Sequence, residues 1–284
     1  MSGSAKALAE SVRYDDRLLM NEGVGVIVSE RLSAENVVHG FTTRLGGVSP
    51  APFDSLDLGT TRPEPWENII ANYRILAGAY GLDFDKLTLV RHEHGDNILK
   101  LTAEDAGRGI SREPFGFCDG FVTNDPGVTL MTCHADCSAF FLYDPVTRSI
   151  GLAHAGWKGM KKRIGQKLAQ RLEKEYGADP SDMVAVVGPC ICEKCFEVER
   201  ALAESFALEF DCPDIFTEGF GEKADKAYVS LRAAALIQLM DAGVPLGNIS
   251  VMRHCTLEES DLFFSYRREG KRTGSMAAFL RLNK

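Results

Sequence analysis

Residues 128–159 read VTLMTCHADCSAFFLYDPVTRSIGLAHAGWKG, and this stretch decides how the rest of the chain is arranged. Runs of β-branched, aromatic and aliphatic residues predict three strands, at residues 128–132, 139–143 and 150–153. Asp144 and Pro145 begin a turn, because proline fixes its own φ and disfavours helix in the preceding residue. The predicted hairpin places Cys137 nearly opposite His154. Their side chains share a face of the sheet if the pairing register is odd, because side chains alternate between the two faces along a strand. A thiol beside an imidazole indicates a metal pair, a catalytic pair or simple packing.

The composition is that of a soluble globular protein: 284 residues, of which 45% are hydrophobic and 25% charged. The formal net charge of −8 disfavours nucleic-acid binding, which needs a basic surface. No apolar run reaches the roughly 18 residues of a membrane span, and residues 1–16 lack the apolar core of a signal peptide. We therefore predict a cytoplasmic protein that binds neither nucleic acid nor membrane.

Strands and helices mix from end to end, with no linker or internal repeat. This predicts an α+β fold, a single mixed α/β domain of layered sheets flanked by helices. We expect a polar N-terminal leader at residues 1–20 and the domain itself at residues 21–284. Further strands are predicted at residues 23–29, 37–43, 85–90, 183–187, 249–255 and 277–282. Helices are predicted at residues 66–80, from 160 to 172 as one long helix, and at 197–210 and 229–242.

Two glycine-rich loops are candidate anion sites. In residues 44–50, Arg44 could bind phosphate or carboxylate through its forked guanidinium, or simply lie in solvent beside a glycine turn. Residues 155–159 join a strand to a helix, whose first amides are unpaired and lie at the positive end of the dipole. Gly156 and Lys158 occupy this second loop, although a plain strand-to-helix turn explains it equally well.

A histidine loop and an Asp-Gly turn supply further candidates. His92 and His94 stand two residues apart, and a turn at Gly95 would separate them, so we expect only one of them in a shared site. Asp119 could cap a helix, stabilise its turn, or act as an acid or base.

Eight cysteines are many for a chain without an export signal. In a reducing compartment, cysteines are ligands, nucleophiles or small buried residues more often than disulfides. Cys190, Cys192 and Cys195 look like a metal knuckle, but a tetrahedral structural zinc needs a fourth ligand and no second CxxC lies at a suitable spacing. We therefore expect these three to pack in a loop that leads into a helix.

His94, Cys137 and His154 form the strongest candidate ligand set. Two imidazoles and a thiolate bind zinc, and three protein ligands leave the fourth position to water or substrate, as in catalytic sites. Zinc lowers the pKa of a bound water to about 7. The same residues could act without metal, with Cys137 as nucleophile and a histidine as base, or could bind copper. Six histidines with one HxH pair are too few for a multicopper oxidase cluster.

Seven segments carry a recognisable pattern: HGFTTRLGGVS (39–49), HEHG (92–95), CDGFVTN (118–124), TCHADCSAFFLYDP (132–145), AHAGWKG (153–159), VGPCICEKCFEV (187–198) and DLFFSYRREGKRTG (261–274). They occur in the order seen in the YfiH-like laccase-domain family, which the chain resembles from about residue 37 to its end. The AHAGWKG and ADC segments are specific enough to make chance a poor explanation.

The resemblance implies a cytosolic, zinc-dependent purine nucleoside enzyme whose small-molecule partners are a nucleoside and inorganic phosphate. Members of the family phosphorolyse adenosine, inosine, guanosine and methylthioadenosine, and deaminate adenosine. The family fold is a single catalytic α/β domain related to deamidating toxins that use a Cys-His pair. The family's zinc ligands correspond to His94, Cys137 and His154, which would form the catalytic set together with Asp119.

Several positions bear on how phosphate would bind. The predicted substrate and phosphate contacts are Arg44, Gly156, Lys158, Ser265 and Arg267. The family commonly has other residues at four positions, which here are Asp57, His92, Lys158 and Ser275. The last two replace arginines and leave fewer guanidinium groups for phosphate. Three alternatives stay open: a hydrolase that edits cell-wall muropeptides, a copper-dependent polyphenol oxidase, and a zinc-stabilised interaction protein with a closed four-ligand site.

Overall fold

The computed structural model describes residues 4–284, which form a mixed α/β fold of three sheets and eight α-helices. The helices are α1 (Ala5–Ser11), α2 (Glu30–Ser33), α3 (Trp66–Ala79), α4 (Trp157–Lys161), α5 (Ile164–Tyr176), α6 (Arg200–Phe210), α7 (Leu231–Asp241) and α8 (Tyr266–Glu269). The strands are β1 (Arg13–Tyr14), β2 (Asp16–Asn21), β3 (Val24–Ser29), β4 (Val37–Thr42), β5 (Leu87–Leu89), β6 (Ile98–Lys100), β7 (Gly120–Thr123), β8 (Thr129–His134), β9 (Ser138–Asp144), β10 (Ser149–Ala155), β11 (Val184–Val187), β12 (Glu197–Glu199), β13 (Phe216–Glu218), β14 (Lys226–Val229), β15 (Ile249–Val251) and β16 (Met276–Leu282).

Two large mixed sheets and one small sheet contain all sixteen strands of the described chain. The seven-stranded sheet has the order β1-β15-β11-β9-β10-β7-β6, and the six-stranded sheet has the order β2-β3-β4-β16-β8-β5. A three-stranded antiparallel sheet, β12-β14-β13, pairs with neither of them. Four pairs are parallel: β1 with β15, β11 with β15, β5 with β8, and β6 with β7.

The hydrophobic core separates into layers, as predicted. Phe41 of β4 and Phe141 of β9 pack in the cluster between the two large sheets. The outer face of the seven-stranded sheet packs on α5 and α7, with Leu168 as one contact residue, and α6 packs on the three-stranded sheet. The outer face of the six-stranded sheet packs on α3 around Tyr73. The layers of the two large sheets therefore run helix, sheet, sheet, helix, and the central strands of both sheets are buried on both faces.

The β9–β10 hairpin confirms the geometry expected from the sequence. His154 lies opposite Ala139 in the antiparallel register, and Cys137 comes two residues before Ala139, so Cys137 and His154 share a face. The preceding strand β8 belongs to the other large sheet. The chain crosses from one sheet to the other at residues 135–137, where Asp136 takes a left-handed φ of 83°. Cys137 therefore stands where both sheets meet.

The predicted polar leader is part of the fold. Residues 1–3 lie outside the described residues, but residues 5–21 form α1, β1 and β2. β1 pairs with β15, and Leu8 and Val12 are buried in the helix-covered core. The polar composition misled the prediction because β2 is the edge strand of its sheet, where side chains such as Leu18 stay exposed.

The predicted long helix after residue 160 is two helices, α4 and α5. They are separated at Arg163, which has a left-handed φ of 59° and donates hydrogen bonds to Glu209 and Asp241 at 2.7 Å each. The predicted helix at 197–210 likewise begins with the strand β12. No helix within residues 4–284 is long and apolar enough to cross a membrane.

Candidate active site

Three chain segments bring His94, Cys137 and His154 together. His154 lies near the end of β10, Cys137 at the crossing before β9, and His94 in the loop after β5 with a left-handed φ of 57°. One ligand atom from each residue lies within 4.8 Å of the others. A Cβ atom on Gly156 would lie 2.8 Å from His94 Cδ2 and 3.3 Å from Cys137 Sγ. Glycine at this position therefore allows the loop to close over the three side chains.

Asp119 lies behind this cluster and is hydrogen-bonded both to His154 and to the loop that carries His94. It is fully buried, and its carboxylate accepts hydrogen bonds from His154 Nδ1 (3.1 Å) and from the amides of His94 (3.1 Å) and Gly95 (2.7 Å). It does not line the cavity in front of the cluster. The structure therefore makes Asp119 a positioning residue, and the predicted direct acid or base role does not fit its burial.

The charges of the cluster are strongly coupled. Burial alone would raise the pKa of Asp119, but hydrogen bonds from His154 and His92 hold it well below its usual value. Burial would lower the pKa of His154, yet Cys137 and Asp119 raise it to about 9. Despite burial, His154 and His94 lower the pKa of Cys137 to about 7. Without a metal, His154 would be protonated at neutral pH and Cys137 would be partly ionised beside it.

His92 also belongs to the site, which contradicts the expectation that only one histidine of the loop would. Its Nε2 accepts a hydrogen bond from the Cys133 amide at 3.0 Å, and its ring lies 4.2 Å from that of His154. Burial and the charge of His154 lower the pKa of His92 to about 3, so His92 is neutral. That Asp119 faces both His92 and His154 could not be predicted from the sequence, because the three residues lie in separate segments of the chain.

A cavity of about 1170 Å³ opens in front of the three side chains, all of which line it. Its walls carry aromatic residues that are 40–51% exposed: Trp66, Phe117, Trp157 and Tyr266. They also carry four arginines: Arg62, Arg91, Arg112 and Arg267. Flat apolar surfaces suit a planar heterocycle, and guanidinium groups suit a phosphate. The sequence had singled out only Arg267 among these arginines.

Arg44, a predicted phosphate contact, does not line this cavity. Its Nε donates to the Asp54 carbonyl at 2.8 Å, and its guanidinium lies 4.5 Å from the ring centre of Phe264. It also faces the carboxylates of Asp54 and Glu269. The guanidinium joins three loops and has no free edge for phosphate.

Two more predicted phosphate contacts lie outside the cavity wall. Ser265 is buried and caps α8, donating to Asp136 at 3.0 Å and accepting from the Arg268 amide at 3.2 Å. Lys158 is exposed, and its Nζ lies 5.5 Å from the ring centre of Trp157. Gly156 and Arg267 line the cavity, and their predicted contact with phosphate stays a prediction.

The donor atoms fit a zinc ion. Since His154 Nδ1 bonds to Asp119, its Nε2 is the nitrogen left for a metal, as in other carboxylate–histidine–metal arrangements. A second group, made of His92, Asp119 and His154, also has its ligand atoms within 4.8 Å. A cation there would displace the hydrogen bonds that hold the loop of His94. The group that contains Cys137 therefore fits a metal better.

Comparisons with known proteins identify the family of the chain. Residues 38–283 match the family described as "Multi-copper polyphenol oxidoreductase laccase". The chain belongs to this family. It is 34% identical over 249 residues, 87% of the chain and 88% of the relative, to the purine nucleoside phosphorylase YlmD of Bacillus subtilis.

Two crystal structures share the fold. YlmD of Geobacillus stearothermophilus has a TM-score of 0.87 and 29% identity, covering 95% of this chain and 100% of the other. The hypothetical protein YfiH of Bacillus licheniformis has a TM-score of 0.86 and 31% identity, covering 94% and 99%. The predicted family and the predicted mixed α/β fold are therefore confirmed.

Proposed function

We propose that the chain is a zinc-dependent purine nucleoside enzyme that phosphorolyses adenosine, inosine, guanosine and methylthioadenosine and deaminates adenosine. One observation carries the proposal: the donor atoms of His94, Cys137 and His154 converge within 4.8 Å on the wall of a cavity of about 1170 Å³. Aromatic and arginine side chains line the same cavity. The naming of the B. subtilis relative as a purine nucleoside phosphorylase supports this choice of substrate.

His94, Cys137 and His154 would hold the zinc. Zinc supplies Lewis acidity, which stabilises negative charge that develops on a bound oxygen or nitrogen. Asp119 keeps the His154 ring in place through Nδ1 and fixes the backbone of His94. This support limits the movement of two of the three ligands.

The cavity walls would hold the two substrates against this centre. Trp157 and Tyr266 offer partly exposed rings for the purine, and Arg267 offers a guanidinium for phosphate. In phosphorolysis, a phosphate oxygen forms a bond to the anomeric carbon while the bond from that carbon to the purine breaks. Holding the two reactants in line supplies much of the rate, because a bimolecular encounter becomes a reaction within one complex. In deamination, the oxygen of a water molecule bonds to the purine carbon that carries the amino group, and the bond from that carbon to the amino nitrogen breaks to release ammonia.

The proposal is tested by incubating the purified, zinc-loaded protein with adenosine and phosphate and separating the products by chromatography. Phosphorolysis releases adenine, deamination yields inosine, and the two in sequence yield hypoxanthine. Omitting phosphate should stop adenine release and leave inosine formation unchanged. A Cys137→Ala variant should form no product of either kind. A zinc-loaded protein that forms none of these products, or a Cys137→Ala variant that keeps full turnover, contradicts the proposal.

Copper-dependent phenol oxidation is a second candidate, favoured by the family description and by the two imidazoles and one thiolate of the site. A copper-loaded protein would then show intense visible absorption from a thiolate–copper bond and would oxidise phenols. The chain contains six histidines, too few for the several coppers of a multicopper cluster. We therefore rank this function below the nucleoside chemistry.

A further inference from the structure

A second group of metal-binding side chains lies away from the His94–Cys137–His154 centre. Cys192 and Cys195 stand in the turn between β11 and β12, and Cys255 and Glu258 follow β15. One ligand atom from each of the four lies within 4.8 Å of all the others. The two segments are joined by the Thr256 amide, which donates to the Cys190 carbonyl at 3.3 Å.

The spacing of the four residues is that of two metal-binding knuckles. Cys192 and Cys195 form a Cys-x-x-Cys pair, and Cys255 and Glu258 form a Cys-x-x-Glu pair. The sequence predicted packing here because no second CxxC was present. A carboxylate oxygen is also a zinc ligand, however, and the structure places it where the fourth ligand is needed. The expectation that these cysteines only pack is therefore incomplete.

Hydrogen bonds already hold the group in a compact arrangement. The Cys192 amide donates to Cys255 Sγ at 3.4 Å, and Cys195 Sγ lies 3.5 Å from Glu258 Oε1. The amides of Leu257 and Glu258 also point to Cys255 Sγ. Zinc–sulfur bonds of about 2.3 Å in a tetrahedron set neighbouring sulfurs about 3.8 Å apart. Small side-chain movements would bring the four ligands to that geometry.

The chemistry of the four side chains also suits a divalent cation. Zinc binds cysteine thiolates and carboxylate oxygens, and it displaces the protons of thiols when it binds them.

We propose that Cys192, Cys195, Cys255 and Glu258 bind one zinc ion in a closed structural site. Three sulfurs and a carboxylate leave no vacant position on a tetrahedral zinc, so this site would stabilise structure. The turn that contains Cys192 and Cys195 also contains Ile191 and Phe196, which line the cavity. The Cys195 carbonyl faces Arg267 at 3.5 Å. The ion would brace this part of the cavity wall, and the proposal holds whatever reaction the cavity supports.

Cobalt spectroscopy tests the site without relying on activity. The reduced, metal-free protein carrying Cys137→Ala, which lacks the thiolate of the other centre, is titrated with Co²⁺. We expect one tightly bound cobalt per chain, with thiolate-to-cobalt absorption in the near ultraviolet and the visible bands of tetrahedral cobalt. Adding Zn²⁺ should remove both the thiolate-to-cobalt absorption and the visible cobalt bands, because zinc binds thiolate sites more tightly than cobalt does.

Matched variants in the same background identify the ligands. Cys195→Ala and Cys255→Ala should abolish the cobalt bands, whereas Cys190→Ala, in the same turn but outside the ligand group, should keep them. Glu258→Gln changes an exposed residue and should weaken cobalt binding by about tenfold or more while the fold is kept. The proposal is overturned if the Cys137→Ala protein shows no thiolate–cobalt bands, if Glu258→Gln binds cobalt unchanged, or if peptide mapping of the purified protein finds a disulfide between two of the three cysteines.

Discussion

Among single residues, Asp119 does most to define the proposed active site. One buried carboxylate accepts hydrogen bonds from a histidine ring and from the backbone of the loop that carries His94. It also raises the pKa of His154, which in turn lowers the pKa of Cys137. The reactivity of the thiol therefore depends on a residue that does not line the cavity.

We expect Asp119→Asn to raise the pKa of Cys137 above about 7 and to lower that of His154 below about 9, because the negative charge beside the imidazole is lost. The pH dependence of Cys137 alkylation in the metal-free protein, followed by peptide mass spectrometry, measures the first change. Turnover of the zinc-loaded variant should fall by about 10- to 100-fold. Asp144→Asn, a change to another buried aspartate, is the control and should leave the alkylation profile as in the wild type. An unaltered profile in Asp119→Asn would refute the positioning role.

Asp57 predicts a pH dependence of folding stability. Its Oδ1 accepts from the amides of Gly59 and Ser275 at 2.8 Å each, but its buried Oδ2 has no hydrogen-bond partner among the described residues. Burial raises the pKa of Asp57 to about 7. Because the folded pKa lies above the unfolded value of about 4, the folded state keeps a proton that the unfolded state loses. The stability contributed by this group is fully present below about pH 4 and is lost as the pH rises through about 7.

Asparagine at position 57 cannot ionise, so Asp57→Asn should remove the loss of folding stability that accompanies rising pH. We expect the variant to exceed the wild type in free energy of unfolding by on the order of 2 kcal/mol at about pH 8, with a much smaller difference at about pH 4. Urea unfolding at the two pH values measures the difference. Equal stability gains at both pH values would show that ionisation of Asp57 is not the cause.

At the scale of elements, the strands were easier to predict than the breaks between helices. β3, β4, β9 and β10 appear in the sequence as apolar runs because each is buried on both faces. The strands β12 and β13 are three residues long and mostly polar, so the sequence signal there is that of a helix or loop. Their pairing with β14 depends on tertiary contacts, which a local pattern does not contain.

The break between α4 and α5 shows the same limit. Apolar residues continue at four-residue steps through Met160, Ile164 and Leu168, because both helices bury the same side of the chain. The break is set by Arg163, whose partners Glu209 and Asp241 lie far along the sequence. A local pattern therefore predicts the buried face correctly and the helix length wrongly.

Two substitutions at Arg163 separate its ion pairs from its backbone conformation. Arg163→Gly and Arg163→Ala both remove the guanidinium, but only glycine adopts the left-handed φ of 59° without strain. We expect both variants to be less stable than the wild type, and Arg163→Gly to be more stable than Arg163→Ala by about 1 kcal/mol. Urea unfolding measures the difference, and a more stable alanine variant would contradict the account of the break.

At the scale of the whole molecule, the sequence allows residues to be grouped by the metal that their side chains would bind. It does not show which residues tertiary contacts bring to the cavity. His94, Cys137 and His154 were grouped from the sequence because their side chains suit one metal, and the structure brings them together. Arg44 lies outside the cavity because its partners come from other loops, with Ser260 more than 200 residues away. Arg62, Arg91 and Arg112 reach the cavity from separate segments without any shared motif.

The cavity is locally basic although the chain has a net charge of −8. If phosphate binds there, Arg267→Ala should raise the KM for phosphate by about tenfold, since a charge-assisted hydrogen bond contributes about 1.5 kcal/mol. Lys158→Ala removes an equal charge outside the cavity wall and should leave this KM nearly unchanged. Steady-state kinetics with varied phosphate distinguish the two variants, and equal effects would place the phosphate elsewhere.

The layered fold as a whole acts to bring three distant side chains to one point beside the cavity. A crystal of the zinc-loaded protein, measured on both sides of the zinc absorption edge, locates the metal directly. We predict an anomalous peak about 2.0–2.3 Å from His94, Cys137 Sγ and His154 Nε2, with its fourth position open to the cavity. No peak at this position, or a fourth protein side chain that closes it, would contradict the proposed catalytic centre.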